Sequence, residues 1–298
     1  MRDKAAEANL KLLTRDLLAR LESLQIPSRK KRDIHRRGEK PSTRKGSSVE
    51  FSDYREYLHG DDIRSIDWNV YARTERLFLK LFLEEQSKPV YFVIDASQSM
   101  NFGTPTKFHY ATAMATALCY VCLKRYDHPH ILLLQEKSFR RFTFPSMKHF
   151  FPLLKRIAQQ QTMGETFLSL GLRKIALARY PRGIYFLISD FLSPDGLEGI
   201  KFLAANGNEI QCLQILSAEE ILPPLRGDLR LVDSETEDRS EVSISPQILR
   251  KYTARLRALQ EELKRIAHTS GSGCYVMNTS TPLDDLLLHH LRKAGMLA

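Results

Sequence analysis

The chain has 298 residues, 43% hydrophobic and 27% charged, with a formal net charge of +10. That is the composition of an ordinary soluble globular protein with one large domain, or one domain and a smaller module. No apolar run approaches the roughly 20 residues that span a bilayer. The opening Met1-Arg2-Asp3-Lys4-Ala5-Ala6-Glu7 carries acids and no apolar core, so it does not read as a secretory signal and a cytoplasmic location is expected.

Residues 3–25 predict an amphipathic helix, with Leu10, Leu13, Leu17, Leu21 and Leu24 recurring on one face and Pro27 ending it. A basic segment follows. Residues 29–45 hold Arg29, Lys30, Lys31, Arg32, Arg36, Arg37, Lys40, Arg44 and Lys45 against Asp33 and Glu39, which leaves seven of the ten net positive charges in one stretch. The rest of the protein is close to neutral. The segment reads as a solvated connector. The rival reading, an anion-binding patch for nucleic acid or acidic membrane, lacks the interleaved aromatic residues on which single strands stack.

Residues 46–87 predict a small β-containing module. Val49-Glu50-Phe51 and Leu77 to Leu83 are its strand candidates. Between them Gly60-Asp61 signals a tight turn. The single tryptophan, Trp68, sits among Asp61, Asp62, Asp67, Arg55, Arg64 and Arg73. This density of opposite charge around one aromatic is either a structural clasp or a partner-docking surface, and the sequence leaves the two open.

From residue 88 strands alternate with helices. Val90 to Asp95 and Ile184 to Ser189 are apolar strand candidates, and Glu209 to Leu216 is a further strand. Lys107 to Lys124, Phe150 to Gln160, Phe167 to Arg179 and Gly196 to Ala205 are helical. Residues 227–245 predict a charged hairpin, Pro246 opens a long helix to His268, Cys274 to Met277 is a last strand and Pro282 starts a last helix. The pattern predicts an α/β fold with a doubly wound, mostly parallel sheet over 88–298. Cys119 and Cys122 have redox or zinc spacing, but they lie late in an apolar helix without a second pair, so buried thiols are expected.

The chemistry gathers at three places. Asp95-Ala96-Ser97-Gln98-Ser99 leaves the carboxyl end of the strand Val90 to Asp95, the rim where open α/β sheets bind ligands. Gly164-Glu165-Thr166 starts a helix, where a threonine can cap the helix or turn its hydroxyl to a cation. Asp190 ends the strand Ile184 to Ser189. If the two strands are neighbours, Asp95, Ser97, Ser99, Thr166 and Asp190 supply five hard oxygen donors. Such donors suit Mg²⁺, with Mn²⁺ or Ca²⁺ as substitutes. Two carboxylates only just neutralise a divalent ion, so the site is built to offer the metal to an outside oxygen such as a partner's Asp or Glu.

This constellation resembles the metal-ion-dependent adhesion site (MIDAS) of von Willebrand factor A domains, with Asp95, Ser97, Ser99, Thr166 and Asp190 at the matching positions. Where many such domains have Thr-Asp-Gly, this chain has Ser189-Asp190-Phe191, and the bulky Phe191 is expected to narrow access to the ion. Upstream, residues 50–57, Gly60-Asp61-Asp62-Ile63-Arg64-Ser65-Ile66-Asp67-Trp68 and Ala72-Arg73-Thr74 resemble the signature of the bacterial family catalogued as domain of unknown function 58. The resemblance covers about residues 46–298. It implies a Rossmann-like, von Willebrand factor A-like fold and an adaptor that links a MoxR-type AAA+ ATPase to a client protein. Longer members of that family carry transmembrane helices.

An enzyme is not expected. A haloacid-dehalogenase-like phosphatase needs a proton-donor aspartate two residues after its nucleophile, and position 97 is Ser. No G-x-S-x-G elbow surrounds either serine, no motif pairs His109 with them, and no P-loop occurs.

Overall fold

Residues 90–94 and 184–188 are apolar without interruption because both faces of their strands are covered. Val90, Phe92 and Ile94 enter one buried cluster, and Tyr91 and Val93 enter a second on the opposite face. The computed structural model describes residues 13–27, 49–84, 88–136, 138–165, 167–193, 196–225, 227–232, 239–269 and 273–298. They form two compact units, one of residues 13–27 with 88–298 and one of residues 49–84. The first part of the helix predicted over 3–25, the basic segment 29–45 and the hairpin turn 233–238 lie outside the described residues.

The larger unit begins with helix α1, Arg15–Leu21, capped by the Thr14 hydroxyl, which accepts from Leu17 N–H. Its leucine face is packed on the body. Leu13, Leu17, Leu21 and Leu24 belong to the same cluster as Phe92. The Arg125 guanidinium donates to the carbonyls of Ser23 and Leu24, and Gln25 and Ala298 exchange two backbone hydrogen bonds. From residue 13 onward the N-terminal helix is therefore a layer of the larger unit.

In the smaller unit, strands β1, Val49–Glu56, and β2, Phe78–Glu84, pair antiparallel. The short helix α2, Trp68–Thr74, lies between them in sequence.

In the larger unit β3, Pro89–Asp95, is followed by helix α3, Lys107–Lys124. Strands β4, His128–Gln135, and β5, Ser138–Thr143, come next, then helices α4, Phe150–Ala158, and α5, Leu168–Leu177. Strand β6, Ile184–Ser189, helix α6, Gly196–Ala205, and strand β7, Glu209–Leu216, follow. After the short helix α7, Ala218–Ile221, a hairpin of β8, Gly227–Val232, and β9, Arg239–Ile244, leads to the long helix α8, Pro246–Thr269. Strand β10, Gly273–Asn278, and helical turns over 283–293 complete it.

The main sheet runs β10-β7-β6-β3-β4-β5, parallel except for the antiparallel edge pair β4 and β5. This is the doubly wound order, and it reverses direction between β3 and β6. The chain leaves β3 toward β4 on one side and later returns to pair β6 on the other. The crevice between their carboxyl ends is the topological switch point. Helices α3 and α4 cover one face and α5 and α6 the other.

Cys119, Cys122 and Cys212 are buried, and burial pushes their thiols well up, so they behave as small core residues. No helix of the described residues is long and apolar enough to cross a membrane.

Gly183 enters β6 where a Cβ would lie 2.1 Å from the Pro89 carbonyl oxygen. Gly183→Ala is expected to lower stability by about 2 kcal/mol or more, because backbone cannot move aside as a side chain can; urea titration reads this. His130 stacks on Tyr91 with ring centroids 5.0 Å apart. Burial, and then the Arg141 guanidinium, pull its imidazole down from 6.5 to about 4. Between these two pH values the unfolded chain binds a proton that folded His130 refuses, so stability falls as pH drops through that window. His130→Phe keeps the stack, and its unfolding midpoint is expected to decline less than wild type's from pH 6.5 to 4.

Candidate metal centre

Three segments meet at the switch point. Asp95, the last residue of β3, is 2% exposed. Its Oδ1 accepts from the Ser97 backbone N–H at 3.0 Å, a turn that swings the chain out of the strand and presents the Ser97 hydroxyl 3.0 Å from that of Ser99. The loop before α5 is tied to this turn. Met163 N–H donates to the Ala96 carbonyl and Gln98 N–H to the Gly164 carbonyl. Thr166 lies outside the described residues. Its neighbours Glu165 and Phe167 line a cavity of about 10 Å³ together with Asp95, Ser97, Leu134, Glu136 and Leu168. That volume is about one water molecule or one small ion.

The third segment is the end of β6. The Ser189 hydroxyl donates to Asp95 Oδ2 at 2.8 Å and accepts from Phe191 N–H at 3.0 Å, bridging the two neighbouring strands. Asp190 follows, 2% exposed. Its Oδ1 accepts from Leu192 N–H and its carbonyl from Gln214 Nε2. Phe191 holds a left-handed backbone, φ 52°, which costs a non-glycine residue about 1–3 kcal/mol. Its ring, 1% exposed, is packed in the cluster with Leu172 and Ile200. Phe191 is not among the residues lining the cavity, so the expected narrowing of the site by this side chain is not found. Its ring is an apolar anchor for the turn instead.

Asp190 has a partner that the sequence reading missed. Lys107, the first residue of α3, donates its Nζ to Asp190 Oδ2 at 2.7 Å and to Glu220 Oε1 at 2.5 Å, with a side chain 1% exposed. Burial works against its charge, but Asp190 and Glu220 outweigh it and raise the lysine above its ordinary value. A signal was present. Helix α3 is apolar nearly all round, so a lysine in its first turn has to be buried and paired. Glu220 was equally legible as the end of a Ser217-x-x-Glu220 capping box, which forms. His109, on the same turn, engages the Thr106 hydroxyl at 3.0 Å and neither serine.

The donors suit a hard cation. Asp95, Asp190 and the half-buried Glu220 bring three formal negative charges to the rim against one positive charge on Lys107, and Glu136 and Glu165 line the cavity as well. Burial first, and then the Asp190 charge, push the Asp95 carboxyl well above the usual carboxylate range. Among the described residues no cluster of three or more His, Cys, Asp or Glu side chains is placed to grip a metal. A cation here would therefore rely on the Ser97 and Ser99 hydroxyls beside Asp95.

The smaller unit resolves its motif into two parts. Asp67 Oδ1 accepts from Asn69 and Val70 N–H, capping α2, and its Oδ2 accepts from the Tyr54 hydroxyl. Asp61 binds the Arg55 guanidinium and Leu58 N–H, both at 2.9 Å, and Asp62 accepts from Arg64 N–H. These acids fold the turn. Trp68 is 60% exposed, edge-on to Tyr71, and Arg64 and Arg73 are exposed as well.

Residues 53–262 match the family described as Protein of unknown function DUF58. An uncharacterized protein of Mycobacterium tuberculosis is 25% identical over 270 residues, covering 88% of this chain and 85% of its own. Among solved structures, BatB from Bacteroides thetaiotaomicron matches 70% of this chain and 98% of its own at 14% identity with a TM-score of 0.44. The SpRpn10 VWA domain matches 68% and 94% at 12% identity with a TM-score of 0.39.

Ser189→Ala removes the donor to Asp95 and the acceptor for Phe191 N–H together. It is expected to cost about 2 kcal/mol, the worth of a hydrogen bond to a buried charged group. Equilibrium unfolding in urea checks this.

Proposed function

The chain belongs to the DUF58 family, and from that premise we propose that it works as a metal-dependent protein-interaction module rather than an enzyme. The observation that carries the reading is the buried Asp95 carboxylate, met by two neutral donors, beside an ion-sized cavity edged by Asp95 and Ser97. Asp95, Ser97 and Ser99 would hold Mg²⁺, with Thr166 as a further hydroxyl donor and Asp190 supplying negative charge at the rim. Mn²⁺ or Ca²⁺ would serve in its place. The bound ion supplies an electropositive point that a carboxylate oxygen of a partner can complete.

The residues support binding more than turnover. Asp95 accepts hydrogen bonds on both carboxylate oxygens from Ser97 N–H and Ser189 Oγ, and is held in place rather than free to attack. Position 97 holds a hydroxyl and no general acid. The partner we assign, on the family resemblance, is a MoxR-type AAA+ ATPase, with this chain linking it to a client. The exposed Trp68, Arg64 and Arg73 are a second contact available to either protein.

The Ser97→Ala, Ser99→Ala double variant is expected to keep wild-type unfolding behaviour in chelator. It should weaken binding to a purified MoxR-type ATPase from the same organism by at least about tenfold in Mg²⁺ buffer. Equal affinity of wild type in Mg²⁺ and in chelator, or of wild type and the double variant, counts against metal dependence.

A further inference from the structure

The two rim carboxylates are not equivalent. Asp95 is met by a backbone N–H and a serine hydroxyl, both neutral. Asp190 is met by a full positive charge, Lys107 Nζ at 2.7 Å, and its other oxygen accepts from Leu192 N–H. The ammonium is fixed from behind. Glu220 Oε1 takes it at 2.5 Å while Glu220 Oε2 accepts from Ser217 N–H, and the Tyr252 hydroxyl of α8 donates to the Glu220 carbonyl. Gln214 Nε2 holds the Asp190 carbonyl. Lys107 is thus gripped by two carboxylates, one of which is itself fixed by the α7 capping box and, through its carbonyl, by Tyr252.

A divalent ion in contact with Asp190 would share one carboxylate with this ammonium. At such separations in a site with little water, two cations repel strongly. Lys107 and the ion therefore compete for Asp190, and the lysine is already in place. We infer that Lys107 is a positioning residue that keeps Asp190 out of the ion's coordination shell, so that the ion rests on Asp95, Ser97 and Ser99. With one carboxylate instead of two in contact, the ion keeps more of its charge for the acid of a partner. This inference rests on the metal-dependent reading above and assigns the charge that the site presents.

The test is Mn²⁺ binding to the full chain at neutral pH, read by calorimetry and by electron paramagnetic resonance. Four proteins are compared: wild type, Asp190→Asn, Lys107→Met, and the Lys107→Met, Asp190→Asn double variant. Asp190→Asn alone is expected to change Mn²⁺ affinity by less than about tenfold, below the loss typical of a ligand or its close support. Lys107→Met is expected to tighten Mn²⁺ binding by at least about tenfold, as Asp190 turns to the ion, and the double variant should lose that gain. Mn²⁺ should also raise the melting temperature of Lys107→Met more than that of wild type. A loss of about tenfold or more in Asp190→Asn, or unchanged affinity in Lys107→Met, overturns the inference while leaving the metal site standing. If wild type and Lys107→Met both fail to bind Mn²⁺, the metal-dependent reading falls and the inference with it. Should Lys107→Met not fold, Asp190→Asn decides alone, since a direct ligand and a lysine-held carboxylate differ in that measurement.

Discussion

Burying like charges side by side is the constraint on which this structure turns. Asp95 and Asp190 end neighbouring parallel strands, each 2% exposed. Two carboxylates in that position repel each other and have lost most of their hydration, and the cost is several kcal/mol per ion unless something answers it. The fold answers with the Ser189 hydroxyl on Asp95 and the Lys107 ammonium on Asp190. The answer is partial, since Glu220 comes with the lysine and the rim stays negative. That rim is where the proposed cation would sit.

The local features around the rim follow from holding these two groups. Phe191 takes a left-handed backbone because the turn after Asp190 must be tight, and its buried ring repays the strain by packing with Leu172 and Ile200. Helix α3 begins with a lysine whose side chain lies against the sheet rim rather than in solvent. The α7 capping box orients Glu220 so that one oxygen closes its own helix and the other holds Lys107. Structure and charge are thus carried by the same side chains.

The smaller unit divides its labour differently. Asp61, Asp62 and Asp67 serve backbone N–H groups, the Tyr54 hydroxyl and the Arg55 guanidinium, while Trp68 is left exposed beside Tyr71. The charge-dense motif is a clasp in its acids, while Trp68, Arg64 and Arg73 are exposed. A sequence shows that oppositely charged residues are near one another in the chain. It does not show that an aspartate is already saturated by backbone N–H groups two or three residues on.

The sequence by itself determined the elements and the order of the rim. Unbroken apolar runs set β3 and β6 because parallel strands are covered on both faces. Asp95-x-Ser97-x-Ser99 and Asp190 could be placed at strand ends from those runs alone, and the doubly wound class followed from the alternation of strands with helices. Only the tertiary structure decided what Asp190 touches. Its lysine partner lies 83 residues earlier in the chain, and that lysine's second partner, Glu220, lies 113 residues after the lysine. No periodicity links such positions. They meet because the strand order reverses between β3 and β6, bringing α3 and the β7–α7 turn to the same crevice, and a charge buried there has to find its counter-charge wherever the fold delivers one.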